Sequence, residues 1–205
     1  MATSRLVQRT AAFVEQQLKS NDASHDWRHI ERVWTVARTL AREERVPAES
    51  LEIVDLAALL HDIDDWKYQS DKDKPTKRAV AFLQSESVPR DKIERVMTII
   101  DSMGFKEELA GSGSRSYSIE YGCVQDADRL LRPLYDPDVP PIDDMTKEQY
   151  MDPNRPNTTI NHFYEKLLKL RGMMKTNAGK RLAEERHAFM ETFLDQFLKE
   201  ISGRG

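Results

Sequence analysis

Almost every stretch of this chain repeats its apolar residues at the 3.6-residue spacing of an α-helix, and no run alternates apolar and polar residues as a half-buried strand would. That pattern points to an all-α fold. Helices are expected over about Ser4–Lys19, from the polar break Ser20–Ser24 with its cap candidates to about Glu44, and over about Ser50–Leu60. Further helices are expected at about Thr76–Ser87, Pro89–Met103, Ser118–Leu131, Thr158–Met174 and Asn177–Ile201. Pro75, Pro89 and the GSGS turn at Gly111–Ser114 separate them. Between Arg132 and Pro156 the sequence PLYDPDVPPIDD…DPNRP is too rich in proline for helix and reads as a long surface loop, the kind that often serves as a lid.

The 205 residues fit one domain, 1–205, with a core at about 24–132, the Pro-rich loop at 132–156 and closing helices at 157–202. Charged residues make up 32% and apolar residues 39%, which excludes a membrane protein and a disordered chain. A net charge of −4, with no aromatic and basic stripe, argues against nucleic acid or an anionic membrane as partner. An anionic substrate would have to be attracted locally. Cys123 is the single cysteine, so no internal disulfide can form and a reducing compartment, cytoplasm or nucleus, is the expected address. The first twenty residues show helical spacing rather than the apolar run of a signal peptide.

Chemistry concentrates in three separated clusters: His25 and His29 in HDWRH, His61-Asp62 in LLHDIDDWK, and Asp126 and Asp128 in VQDADRL. His29 falls in line with Val33, Val36 and Leu40, His61 follows Val54, Ala57 and Ala58, and Asp128 follows Tyr121 and Val124. Each therefore lies on a stripe expected to face the core, where an ionised carboxylate needs compensation. A shared divalent cation would compensate all three clusters. His61 and Asp62 project about 100° apart on a helix, so they converge on one ion most easily at a helix end, where LAALL gives way to HDIDDWK. Taken singly, each residue has a plainer reading as a core histidine, a turn cap or a partner for Arg129 or Arg132. Periodicity does not separate Asp126 from Asp128, because Ile119, Cys123 and Leu130 give Asp126 an equally apolar line.

The order H, HD, D on three helices resembles the HD superfamily of metal-dependent phosphohydrolases. HDWRHIERV, LAALLHDIDDWK and VQDADRL are similar to its small single-domain hydrolases, as is the stretch from RPLYDP through NHFYEKLLKL to GKRLAEERHAFM. The resemblance covers roughly Ser24 to the end and implies a compact HD-domain bundle of about six to eight helices. It also implies His29, His61, Asp62 and Asp128 as metal ligands, and favours Asp128 over Asp126. One departure stands out: Leu130-Leu131 runs straight into Arg132-Pro133, where relatives carry a stretch rich in small residues.

Two imidazoles and two carboxylates suit one divalent ion, with manganese first and iron, cobalt, zinc, nickel or magnesium as alternatives. The implied activity is hydrolysis of a nucleotide or a related phosphate ester or anhydride, including pyrophosphate release from nucleoside triphosphates, by a monomer or homodimer. Asp65 and Lys67 are the catalytic candidates, Asp65 as general base, although HDIDD reads equally as the start of a solvated acidic loop. Arg28, Arg32 and His25 are candidate substrate contacts, with helix entry as the competing role for His25. Lys72, Lys74, Lys77 and Arg78 form a basic run that more often marks solvated surface. The alternative function is a helical module that senses a metal or nucleotide without useful turnover.

Overall fold

A computed structural model describes residues 3–19, 26–64, 77–103, 117–131 and 159–203. Among them are eight α-helices and no strand: α1 (Arg5–Gln17), α2 (Trp27–Glu43), α3 (Ala48–Leu60), α4 (Arg78–Ser85), α5 (Arg90–Asp101), α6 (Ile119–Leu130), α7 (Thr159–Glu165) and α8 (Asn177–Ile201). The fold class is all-α, and none of these helices is long and apolar enough to cross a membrane.

Helix α3 organises the rest. Its residues from Ile53 to Leu60 are all buried, so it is enclosed around its whole circumference, with Asp55 as the one charged residue in that stretch, and needs neighbours on every side. It packs against α1, α2, α5 and α6. Fully burying residues such as Ile53, Leu56, Leu59 and Leu60 contributes roughly 1.5–3 kcal/mol each. Helix α6 is nearly as enclosed, with every residue from Glu120 to Leu130 buried. The amphipathic α1 and α2 each bury one stripe: Val7, Thr10 and Val14 on α1, and His29, Ile30, Val33, Ala37, Leu40 and Ala41 on α2.

Two expectations change. Helix α2 takes its cap from Asp26, whose side chain accepts from the His29 amide at 2.9 Å, rather than from Ser20–Ser24, which lie outside the described residues. The single helix expected over Thr158–Met174 divides into α7 and a 3₁₀ segment at Leu167–Met173, with Lys166 at φ −133°. A 3₁₀ turn eclipses positions three apart, and here that brings Leu167 and Leu170 to the core together with the partly buried Met173. Packing overrides the helical propensity of LLKLRGM. The Pro-rich stretch 132–156 lies outside the described residues.

Helix α8 docks its first turn on α6 and α2. Thr176 caps it through Gly179 N (2.8 Å), and Glu44 Oε1, just beyond the end of α2, accepts from Ala178 N (2.6 Å). Both oxygens occupy donors that a helix start otherwise leaves unsatisfied.

Candidate metal centre

Three helix ends converge. Asp26 fixes the first turn of α2, which places His29 at the third helical position with its side chain 4% exposed. His61 is the C-terminal cap of α3, and residues 61–64 form a turn, so Asp62 is released from the helical repeat. Asp128 sits in the last turn of α6, where its carbonyl accepts from Leu131 N at 3.1 Å. The C-terminal ends of α3 and α6 both bring partial negative charge to this point, a field that favours a cation.

Ligand atoms of His29, His61 and Asp128 lie within 4.8 Å of one another. His29 Nε2 is 3.5 Å from Asp128 Oδ1 and 3.6 Å from Asp62 Oδ2. His61 Nε2 is 3.7 Å from Asp128 Oδ1 and 3.3 Å from Asp62 Oδ2. Asp62 thus reaches both imidazoles.

The tautomer of His61 gives these distances meaning. Its Nδ1 lies 2.9 Å from the Ala58 carbonyl, which can only accept, so Nδ1 carries the proton and Nε2 turns its lone pair toward two carboxylates. Nε2 is buried and makes no hydrogen bond. A buried acceptor facing acceptors costs free energy unless a cation or a proton stands between them. An N–H···O bond would draw the atoms to about 2.7–3.2 Å. Metal–ligand bonds of about 2.0–2.2 Å instead hold neighbouring donors roughly 3–3.6 Å apart. The observed separations of 3.3–3.7 Å lie beyond hydrogen-bond length and closer to the second arrangement. The donor set fits a divalent ion.

Without the ion, protonation takes its place. Burial opposes a charged His61, but the Asp62 and Asp128 carboxylates together outweigh it and raise its pKa well above the ordinary 6.5. Burial likewise opposes the Asp62 anion, yet the His61 ring beside it holds the carboxyl down at about 2.

Asp126 and Asp128 have different surroundings. Asp126, with no exposure, accepts from Lys175 N at 2.9 and 3.1 Å, from Thr176 N at 2.8 Å and from Thr176 Oγ1 at 2.8 Å. It anchors the start of α8 and, among the described residues, belongs to no ligand group. Burial pushes its carboxyl up, against the pull of these donors. Arg28 is exposed and pairs with Glu31 at 3.1 Å, and Arg32 is exposed one turn further on, so neither joins the cluster. His25, Asp65 and Lys67 lie outside the described residues, as do Lys72 and Lys74.

Two participants carry no signal in the sequence. The Ala58 carbonyl orients His61, and a backbone group leaves no mark on residue identity. Arg78, expected as solvated surface, turns inward to Ile63 and Asp64 instead, while Lys77 is exposed.

An all-α frame holding a histidine, a His-Asp pair and a distant aspartate at three helix ends is the arrangement of HD-type proteins. Residues 26–132 match the HD domain family, and the chain belongs to that family. HD domains bind divalent metal ions. The uncharacterised protein YpgQ of Bacillus subtilis is 32% identical over 199 residues, covering 93% of this chain and 91% of YpgQ. Its structure in complex with ADP has a TM-score of 0.67 at 28% identity, over 97% of this chain and 100% of that one. A crystal structure of an HD-superfamily hydrolase from Bacillus thuringiensis is similar at 34% identity and a TM-score of 0.66, with 95% of each chain covered. A Lactobacillus plantarum protein gives 33% identity and a TM-score of 0.72, over 99% of this chain and all of that one.

Proposed function

We propose that this protein is a metal-dependent phosphohydrolase that acts on nucleotides, with pyrophosphate release from nucleoside triphosphates as its first candidate reaction. The observation that carries the reading is the buried Nε2 of His61, fixed by the Ala58 carbonyl so that its lone pair meets Asp62 and Asp128. His29, His61, Asp62 and Asp128 hold one divalent ion, manganese first. When bound, the ion supplies Lewis-acid polarisation of a phosphoryl oxygen and a lowered pKa for water.

The chain's own residues do the remainder. Asp64 is engaged with Arg78 and the α4 amides, which leaves Asp65 of the acidic pair as the base that takes a proton from water as its oxygen bonds to the α-phosphorus and the bond to the departing pyrophosphate breaks. Lys67 and His25 bind phosphate oxygens, and Arg28 and Arg32, on the exposed side of α2, add to the local positive charge that a net −4 chain needs for an anionic substrate. The complex of YpgQ with ADP supports a nucleotide as the ligand class.

Purified protein loaded with manganese and screened against nucleoside mono-, di- and triphosphates, with phosphate and pyrophosphate followed by ³¹P NMR, tests the proposal. Release that disappears in His61→Ala is the expected result. Stoichiometric metal with no release on any nucleotide would favour a sensing module instead.

A further inference from the structure

We propose that Arg78 is a positioning residue for His61 and Asp62, locking the turn in which they sit. The inference rests on the metal-site reading above. Helix α3 ends at Leu60, and across the turn that follows Ile63 N donates to Leu60 O at 3.3 Å. Asp62 thus lies past the end of the helical repeat, with its side chain 19% exposed.

Arg78 closes the turn from outside. Its Nη2 donates to the Ile63 carbonyl, and its Nε lies 3.4 Å from Asp64 Oδ1. Asp64 in turn accepts from Arg78 N at 2.9 Å and Ala79 N at 3.2 Å, which caps the start of α4 from fourteen residues away. Arg78 Nη1 reaches Gln17 Oε1 on α1 at 3.5 Å. From inside, the fully buried Ile63 side chain plugs the same turn into the core. Both residues that follow the His-Asp pair are thus held, and only a planar guanidinium offers separate donors to Ile63, Asp64 and Gln17 at once. Groups that orient metal ligands from behind typically change metal affinity 10–100-fold when removed.

The experiment uses the full chain as wild type, Arg78→Lys, Asp64→Asn and Arg9→Ala. The last removes the Arg9–Glu86 pair (2.6 Å), which ties α1 to the far end of α4 without touching the turn. Manganese affinity is measured by calorimetry, the visible spectrum of the cobalt form reports ligand geometry, and thermal melting of the metal-free protein reports stability. Arg78→Lys is expected to weaken manganese binding about 10–100-fold and to alter the cobalt bands. Asp64→Asn should change both in the same direction, and Arg9→Ala neither. Wild-type affinity and spectra in Arg78→Lys and Asp64→Asn would overturn the inference, as would an equal loss in Arg9→Ala. If wild type itself binds no metal, the metal-site reading fails first.

Discussion

Asp126 and Asp128 lie two residues apart, are both buried, and are expected to fail in opposite ways when truncated to alanine. Asp126→Ala strands two buried donors, Thr176 N and Thr176 Oγ1, and the part-buried Lys175 N at the point where α8 joins α6. Each stranded donor costs about 1–3 kcal/mol, and partial entry of water lowers the sum to about 3–5 kcal/mol. For a chain of this size that lowers Tm by on the order of 10 °C. Asp126 touches no proposed ligand, so the folded fraction of Asp126→Ala should bind manganese with nearly wild-type affinity. Asp128→Ala removes a donor from the cluster itself and should lose more than about 100-fold in affinity, beyond what an outer contact costs. Its metal-free melting should shift less than that of Asp126→Ala, whose hydrogen bonds to Lys175 and Thr176 tie the start of α8 to α6. Urea or thermal melts of the metal-free variants, paired with manganese titration, read both quantities. An Asp126→Ala protein that melts like wild type but has lost its metal would refute the division of labour between the two aspartates.

Three further outcomes follow from the geometry. A Cβ on Gly179 would stand 2.2 Å from Asp126 Oδ2 and 2.7 Å from Thr176 Oγ1, so Gly179→Ala should cost roughly 1–3 kcal/mol in urea unfolding; an unchanged midpoint would contradict this close approach. In metal-free protein the raised His61 pKa contributes stability that is complete below pH 6.5 and lost as pH rises through its folded value. The lowered Asp62 pKa contributes stability present above about 3.8 and lost as pH falls toward 2. Melts across pH should therefore peak between about 4 and 6.5, while manganese affinity climbs above that window as His61 gives up its proton; a pH-independent affinity would contradict the coupling. The Cys123 thiol, fully buried and pushed up to about 12 by its burial, should resist a thiol reagent at pH 8 until the protein is unfolded, and rapid labelling of the native state would show otherwise.

Much of this arrangement is legible in the residues. The 3.6 period places His29 on a buried stripe, although Ala37 rather than Val36 continues it, and the switch from LAALL to HDIDDWK marks the helix end at His61. What the period cannot carry is the choice between neighbours on one enclosed helix. Helix α6 is buried all round, so a stripe no longer selects a face, and Asp126 is separated from Asp128 only by the chain at Lys175–Gly179 some fifty residues later. Arg78 is a similar case. In sequence it closes a run of surface-type lysines, and only the return of α4 beside the end of α3 gives its guanidinium inward partners. The 3₁₀ segment at Leu167–Met173 is set by which leucines reach the core, a property of the neighbouring surface rather than of LLKLRGM itself.

The location of the donors at helix ends has a consequence for how such a protein can change. His29 stands just after the chain enters α2, Asp62 just after it leaves α3, and Asp128 just before it leaves α6. The segments 20–25, 65–76 and 132–158 adjoin those three points. Metal binding is thereby set by the frame, whereas the proposed base Asp65 and phosphate contacts His25 and Lys67 belong to the segments beside it.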